Sequence, residues 1–418
     1  MKLDVKKTVT IGLAFMTINM LWQVYNWEVP KVLESYLNTF TADAILIGII
    51  MALDNLFAIF MIPLSSNWSD RTSTKIGKRM PFIFLGIIAS AIAFFLIPFT
   101  NRIGFWALLI NIVFVLLCMN LYRSPCVALM PDVTPPPLRN RANSIINIMG
   151  GVGTGIGMLF VMILGMFSDF LPYVMVSVVM IGLAIFLRHK VNEPKLVEEC
   201  KAQCQEAGVA YSPKDDDVGT AKNTNKRNII VVLLTVFLIY MATNAVDTFM
   251  SLYGQEVFGG QRLDFLPSLD LTTLMFIPYG IGMFGFAVPA ALLADKIGRP
   301  KTIAIGCLLM AIGYTLIALL GSFSIWTLVS YLPVGIGFSL AIINVYPMTI
   351  ENCSPKDTGK YTGFYYIASM SAQTITPALV GLFISEVLPI GSMTNLFPYA
   401  TIFILLAALT ASFGKKVG

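Results

Sequence analysis

The chain has 418 residues, 12% of them charged and 56% hydrophobic, with a formal net charge of +5. A soluble domain carries about 25% charged residues, so too few are present to cover a water-soluble globule of this length. Lipid is the solvent this composition fits, and the net charge calls for no nucleic acid.

A membrane-crossing helix needs about 20 mostly apolar residues to span a hydrocarbon core of about 30 Å. Twelve runs qualify, at roughly 10–30, 43–65, 81–99, 103–122, 142–166, 171–188, 229–252, 272–293, 302–321, 325–347, 361–386 and 395–414. Helices are expected, because lipid offers no partner to unpaired backbone groups and the runs lack the alternation of barrel strands. The first run follows Lys2, Lys6 and Lys7, as in a signal peptide. It is long and has no small-x-small cleavage site, so it reads as a retained helix.

Of the 28 Lys and Arg residues, only Lys31, Arg102 and Arg262 fall on the side opposite the N-terminus. By the positive-inside rule both termini lie in the cytosol, in a multi-pass protein of the cell membrane. The polar stretch 190–227 carries Asp215, Asp216 and Asp217 beside Lys222, Lys226 and Arg227. It reads as a cytosolic tether, partly helical near Glu198 and flexible near Gly219. The expected organisation is a six-helix bundle over 1–189, a linker over 190–227 and a second six-helix bundle over 228–418.

After the second run the chain reads SDRTSTKIGKR from Ser69, and after the eighth ADKIGRPK from Ala294. Each copy has an acid, a base, a glycine and further bases: Asp70, Arg71, Gly77, Lys78 and Arg79, then Asp295, Lys296, Gly298 and Arg299. The glycines permit a tight turn. Asp70 and Asp295 are placed to meet a neighbouring helix N-terminus, and the bases to hold the anionic cytosolic face. Two copies flanking a linker indicate internal duplication.

These loops resemble the loop signature of the major facilitator superfamily, a resemblance that covers essentially the whole chain. It implies an all-α membrane protein with twelve transmembrane helices in two pseudosymmetric six-helix bundles. It also implies a rocker-switch transporter with a central cavity between the halves, the loops serving gating. The longer first copy, followed by Pro81-Phe82, is similar to the glycoside–pentoside–hexuronide symporters, and most to their sucrose:proton symporter-like branch. NLYRSPCVALMPDVTP from Asn120, RANSIINIMG from Arg141, NAVDTFMSLYG from Asn244, INVYPM from Ile343 and GKYTGFYYIASMSAQTITP from Gly359 fit that branch. Two positions depart from it. Plant-type sucrose carriers place an arginine where Val127 stands, whereas this chain has Arg123 one turn earlier. Melibiose-type members place an acid where Ile62 precedes Pro63, which weakens a sodium-coupled reading.

Three acids fall well inside the runs: Glu28, Asp54 and Asp247. A charge at the bilayer centre costs about 2.5–3.5 kcal/mol on insertion scales, so such acids mark function. Asp54 and Asp247 are the leading proton-site candidates. Glu28 stands nearer the outer end, where a hydrated vestibule charge is an equal reading, and Arg123 is a base that a proton could replace. Sugar recognition calls for amide or acid hydrogen bonds and aromatic faces. Trp22, Gln23, Tyr25, Asn26, Asn120, Asn244, Asn344, Tyr365, Tyr366 and Gln373 are the candidates. For any one of them, helix packing or interface anchoring is the competing role.

GGVGTGIG from Gly150 lacks the strand, lysine and acid of a nucleotide loop. Its pairs Gly151 with Gly155 and Gly153 with Gly157 are expected to let helices approach closely. His189 is the single histidine, and Cys200 and Cys204 have no second pair, so no metal site and no cofactor are expected. Asn67-Trp-Ser and Asn352-Cys-Ser match the glycosylation sequon but fall on the cytosolic side. The reading is a proton-coupled sugar symporter, for a disaccharide or other glycoside, acting as a monomer with substrate, proton and bilayer as its partners. Its rivals are an exporter or antiporter of amphipathic compounds, a sodium-coupled sugar symporter and a transport-dead sensor. No catalytic set supports an enzyme.

Overall fold

Apolar runs longer than a bilayer fold as helices that satisfy their own backbone, and the computed structural model consists almost wholly of them. It describes residues 3–37, 43–209, 211, 224–259, 262–263, 266–354, 357–385, 387–389 and 391–414. Asp215, Asp216, Asp217, Gly219 and Lys222 lie outside the described residues.

The first half contains α1 (Val5–Leu37), α2 (Asp43–Arg71), α3 (Met80–Ile103), α4 (Phe105–Val133), α5 (Arg139–Leu159) and α6 (Leu171–Lys190). The second contains α8 (Lys226–Glu256), α9 (Phe276–Gly285), α10 (Ala287–Ile297), α11 (Arg299–Leu320), α12 (Ile325–Glu351), α13 (Thr358–Ile384) and α14 (Leu396–Ser412). Between them α7 (Glu193–Glu206) occupies the start of the central segment. Among the described residues 11 helices are long and apolar enough to cross a membrane. The twelfth crossing is α9 and α10 together, bent by 48° after Gly285, so the run expected as one helix over 272–293 is broken. Among the described residues β1 (Arg262–Leu263) pairs antiparallel with β2 (Leu266–Asp270).

Local chemistry explains several boundaries. The Asn192, Asn225 and Ser324 side chains accept backbone N–H groups of Lys195, Asn228 and Thr327, capping α7, α8 and α12. Gly321 ends α11 with φ 58°, a left-handed conformation that glycine adopts without strain. α5 loses its regular ladder at Phe160–Leu164, which winds as one π-helical stretch.

Packing divides the chain into one unit of Met1–Tyr25 with Leu56–Asp216 and another of Asn26–Asn55 with Asp217–Gly418. The far halves of α1 and α2 therefore belong to the second unit. There a Cβ on Gly48 would run into the Pro377 carbonyl, and one on Gly381 would lie 2.5 Å from the Ala44 carbonyl oxygen. In the first unit a Cβ on Gly153 would strike the Met16 carbonyl, and on Gly157 it would lie 2.6 Å from that of Met20. α5 and α1 thus approach through that glycine pair. Gly155, from the other expected pair, has open space beside it, because its side of α5 carries no neighbour within van der Waals reach. Leu85, Ile103, Trp106 and Leu319 are more than 60% exposed, as lipid-facing side chains should be.

Candidate functional site

At the basic end of the first unit, the loop after α2 must turn sharply, and Gly77 does so at φ 113°. α3 then begins with backbone N–H groups that its own sequence leaves uncapped. Glu193, at the start of α7, supplies the acceptor. Its carboxylate takes the N–H of Lys78 at 3.0 Å, of Arg79 at 2.9 Å and of Met80 at 2.9 Å, and it is 2% exposed. A Cβ on Gly77 would collide with that carboxylate.

The Arg79 side chain continues the network. Its Nε donates to Asp132 Oδ2 at 3.0 Å, its Nη1 to Ser69 Oγ at 3.0 Å, and its Nη2 pairs with Asp70. Lys78 Nζ lies 3.1 Å from the same Asp132 oxygen, and Tyr211 Oη donates to the Asp132 carbonyl at 3.0 Å. The expectation that Asp70 meets a helix N-terminus is corrected: it meets a guanidinium, and Glu193 holds the helix end. Arg71 is exposed. Cys200 and Cys204 face inward from α7, each 1% exposed, and burial pushes the Cys200 thiol up to about 11.

The second unit repeats the arrangement with different partners. Arg299 Nε donates to Glu351 Oε1 at 2.7 Å and its Nη1 to Asn344 Oδ1 at 2.9 Å. The Asn344 amide nitrogen donates to the Ala290 and Leu340 carbonyls at 3.3 and 3.0 Å. Asn344 is fully buried, and its amide is engaged on both sides. As a sugar contact it is therefore corrected to a tie between α12 and the Arg299 loop. Asp295 and Lys296 are exposed, and among the described residues Asp295 makes no ion pair. Asp357, before α13, accepts hydrogen bonds from Thr224 and Ser354, which hold its carboxyl below the usual carboxylate range. Asn352 is 1% exposed and donates to the Met348 carbonyl at 2.8 Å, so its sequon is closed to a glycan by burial. Asn67 is exposed.

Deeper in the first unit the Arg123 guanidinium lies over the Trp22 ring, 4.4 Å from its centroid, a stacking that suits a delocalised cation. Gln23 Nε2 lies 3.5 Å from Met158 Sδ. Trp22 and Gln23 are half-buried, whereas Tyr25 and Asn120 are fully buried. Asn120 donates to the Leu116 carbonyl one turn back at 3.0 Å. Trp22 and Arg123 are thus brought together and Gln23 lies against Met158, while Tyr25 and Asn120 sit in the packing.

In the second unit Glu28 is 6% and Asp54 4% exposed, and Glu28 lies 3.6 Å from Lys31 Nζ. Asp247 differs from both. It is exposed on a helix whose flanking residues Ala245, Val246, Thr248 and Phe249 are buried. Asn244 and Tyr240, one and two turns back on that face, are half-buried. Among the described residues nothing makes an ion pair with Asp247. A bare carboxylate cannot face hydrocarbon, so this stripe of α8 must open on water.

Aromatic rings of α9 and α12 cluster in the same unit. Tyr279 stacks obliquely on Tyr331 with centroids 5.5 Å apart, and Phe276 lies 6.3 Å from Tyr279. Trp27 packs edge-to-face on Phe276 at 5.5 Å. On α13, Tyr365 is buried between Tyr346 and Tyr366 at 5.2 and 5.5 Å, and Tyr366 is exposed. Gln373 bonds back to the Ser369 carbonyl at 3.2 Å, and Asn26 is half-buried.

Sequence reasoning missed Asp132, Glu193, Glu351, Trp27, Phe276, Tyr279 and Tyr331. The acids had a signal: each stands at the loop end of its helix, facing bases counted only for topology. The rings had none, because single aromatics in apolar runs look alike.

The family profile described as Major Facilitator Superfamily matches residues 8–377 and 262–414. The chain is 26% identical over 301 residues to the class H tetracycline resistance protein of Pasteurella multocida, covering 68% of each. It is 25% identical over 154 residues to the sucrose transport protein SUC3 of Arabidopsis thaliana, 32% of this chain and 26% of that one. Among solved structures, nucleoside transporter NupG superposes with a TM-score of 0.70 at 14% identity, over 99% of this chain and 100% of that one. A bacterial homologue of the human lysosomal transporter Spinster gives 0.66 at 15% identity, over 98% and 97%. With paired Arg–carboxylate clusters at the basic end of both halves and the profile spanning the chain, this protein belongs to the Major Facilitator Superfamily of transporters.

Proposed function

We propose that the protein is a proton-coupled sugar symporter working by alternating access in the cell membrane, with both termini cytosolic. The observation that carries this reading is Asp247: an intramembrane carboxylate without an ion-pair partner among the described residues, on an exposed stripe of α8 that also carries Asn244 and Tyr240. Ionisable groups inside a span mark proton and substrate pathways in transporters. Proton and sugar then raise each other's affinity by one factor, as linkage requires. The partial likeness to a sucrose transport protein supports the substrate class.

An exporter of amphipathic compounds is the second reading, favoured by the longer match to the tetracycline resistance protein. Uptake into proteoliposomes separates the two. Sucrose, maltose, melibiose and lactose are supplied outside, with pH and sodium gradients imposed separately. Symport gives sugar accumulation driven by an outside-acid gradient and external alkalinisation on sugar addition. Efflux of tetracycline against its gradient, with no sugar uptake, overturns it.

A further inference from the structure

The span formed by α9 and α10 is bent by 48°, and its sequence supplies the cause. Pro289 has no N–H to give the Gly285 carbonyl, and in a continuous helix its ring would clash with that carbonyl. The chain therefore ends α9 at Gly285 and restarts at Ala287, where Pro289 falls in the first turn and is tolerated. A Cβ on Gly285 would meet nothing within 4 Å, so no neighbour braces the joint.

The two sides of the joint are held to α12 differently. α9 is interlocked with it: a Cβ on Gly282 would lie 2.7 Å from the Ile336 nitrogen and the Leu332 carbonyl oxygen, and one on Gly335 would collide with the Tyr279 carbonyl. The Tyr279 ring also lies 5.5 Å from that of Tyr331 and 6.1 Å from that of Phe338. α10 turns Ala290 and Ala294 inward, while Val288 and Leu292 are 69% and 57% exposed. Its Ala290 carbonyl accepts the Asn344 amide at 3.3 Å, just beyond the usual hydrogen-bond range.

We propose that α10 is a hinged segment in the transport cycle: it swings about the Gly285–Pro289 joint while α9 stays on α12, and Asn344 is its latch. A rigid span could only tilt as a whole, against the interlock of α9 with α12. A jointed one lets the Arg299 loop at the end of α10 move with α9 in place. Asn344 suits the latch because one amide holds both ends of the moving piece. Its nitrogen takes Ala290, and its oxygen takes Arg299. Gly285, Pro289 and Asn344 are positioning residues, so the inference holds whichever substrate is carried.

Double electron–electron resonance on the full chain in nanodiscs tests this. Spin labels on Leu292→Cys and Leu409→Cys report α10 against α14, and labels on Ile281→Cys and Leu409→Cys report α9. All three positions are exposed, whereas the six native cysteines are buried. Asn344→Asp keeps an acceptor for Arg299 and loses the donor to Ala290. It should widen the Leu292–Leu409 distribution about twofold and leave Ile281–Leu409 unchanged. Adding Pro289→Ala restores the missing helical bond. The double variant should return to one narrow distance, displaced by up to about 8 Å as the bend straightens over an arm of about 10 Å.

Pro289→Ala alone, assayed in proteoliposomes with sucrose, maltose, melibiose, lactose and tetracycline, should lose about tenfold in turnover with KM within about twofold. The binding groups stay in place and only the swing is impaired. An unwidened Leu292–Leu409 distribution in Asn344→Asp, equal widening of both pairs, or a double variant as broad as the single one overturns the hinge. Wild-type turnover in Pro289→Ala overturns its part in transport. Should Asn344→Asp not fold, as read by thermal unfolding, Pro289→Ala decides on turnover, and where none of the five compounds is carried the distances decide.

Discussion

Glu193 accepts the backbone N–H of Met80 at 2.9 Å, across 113 positions of sequence. With the same carboxylate on Lys78 and Arg79, α7 becomes the N-terminal cap of α3, and the central segment is fastened to the first unit. Removing the carboxylate leaves buried N–H groups at the positive end of a helix dipole. Glu193→Ala should cost about 1.5–3 kcal/mol, the range for charge-assisted bonds, and Glu193→Gln less, since one oxygen remains. Thermal unfolding of the purified protein measures it, and an unchanged midpoint in both variants would remove the cap from the account.

Arg79 and Arg299 serve their loops as forks. Arg79 reaches Asp132, Ser69 and Asp70, and Arg299 reaches Glu351 and Asn344. A lysine is a point charge and cannot span such partners. Arg79→Lys and Arg299→Lys should both slow transport by about tenfold, the effect of one lost net interaction on a conformational step, while the protein still reaches the membrane. Counterflow rates, normalised to purified protein, test this.

The buried Cys200 thiol is pushed up to about 11, and only a thiolate attacks a maleimide. At pH 8 its alkylation should run about 200-fold slower than that of a free thiol of pKa about 8.5, and rise about tenfold per pH unit until the folded pKa is reached. In Glu193→Ala, where α7 loses its anchor, labelling at pH 8 should quicken. Mass spectrometry of the Cys200 peptide reads both effects.

Gly153 and Gly155 are two residues apart and opposite in consequence. A Cβ at Gly153 meets the Met16 carbonyl, and one at Gly155 meets nothing within 4 Å. Gly153→Ala should therefore force α5 away from α1 and destabilise by about 1–3 kcal/mol, the cost of overpacking. Gly155→Ala should be neutral or stabilising by up to about 1 kcal/mol, the helix propensity gain. Equal unfolding midpoints would contradict this packing.

Asp247 and Asp54 differ in surroundings, one exposed and the other 4% exposed. Under the symport proposal Asp247→Asn should abolish accumulation driven by a pH gradient yet keep sugar exchange, because exchange needs no net proton movement. Asp54→Asn is the parallel test of the second proton candidate. If both variants accumulate sugar as wild type does, neither acid carries the proton.

Periodicity and base placement were enough to read the helices and the duplicated loops, because lipid imposes length and polarity on each helix separately, and the superfamily came from the resemblance those loops carry. Asp247 was legible for the same reason: a charge inside an apolar run is conspicuous whatever surrounds it. Which partner each loop residue takes was not legible. Glu193 rather than Asp70 caps α3, Asn344 binds Arg299, and Gly153 and Gly157 meet a neighbouring helix where Gly155 does not. Those outcomes depend on which faces of distant helices meet, and a hydrogen bond or a ring contact is decided within a fraction of an ångström. Hydropathy, summed over whole turns, holds no information at that scale.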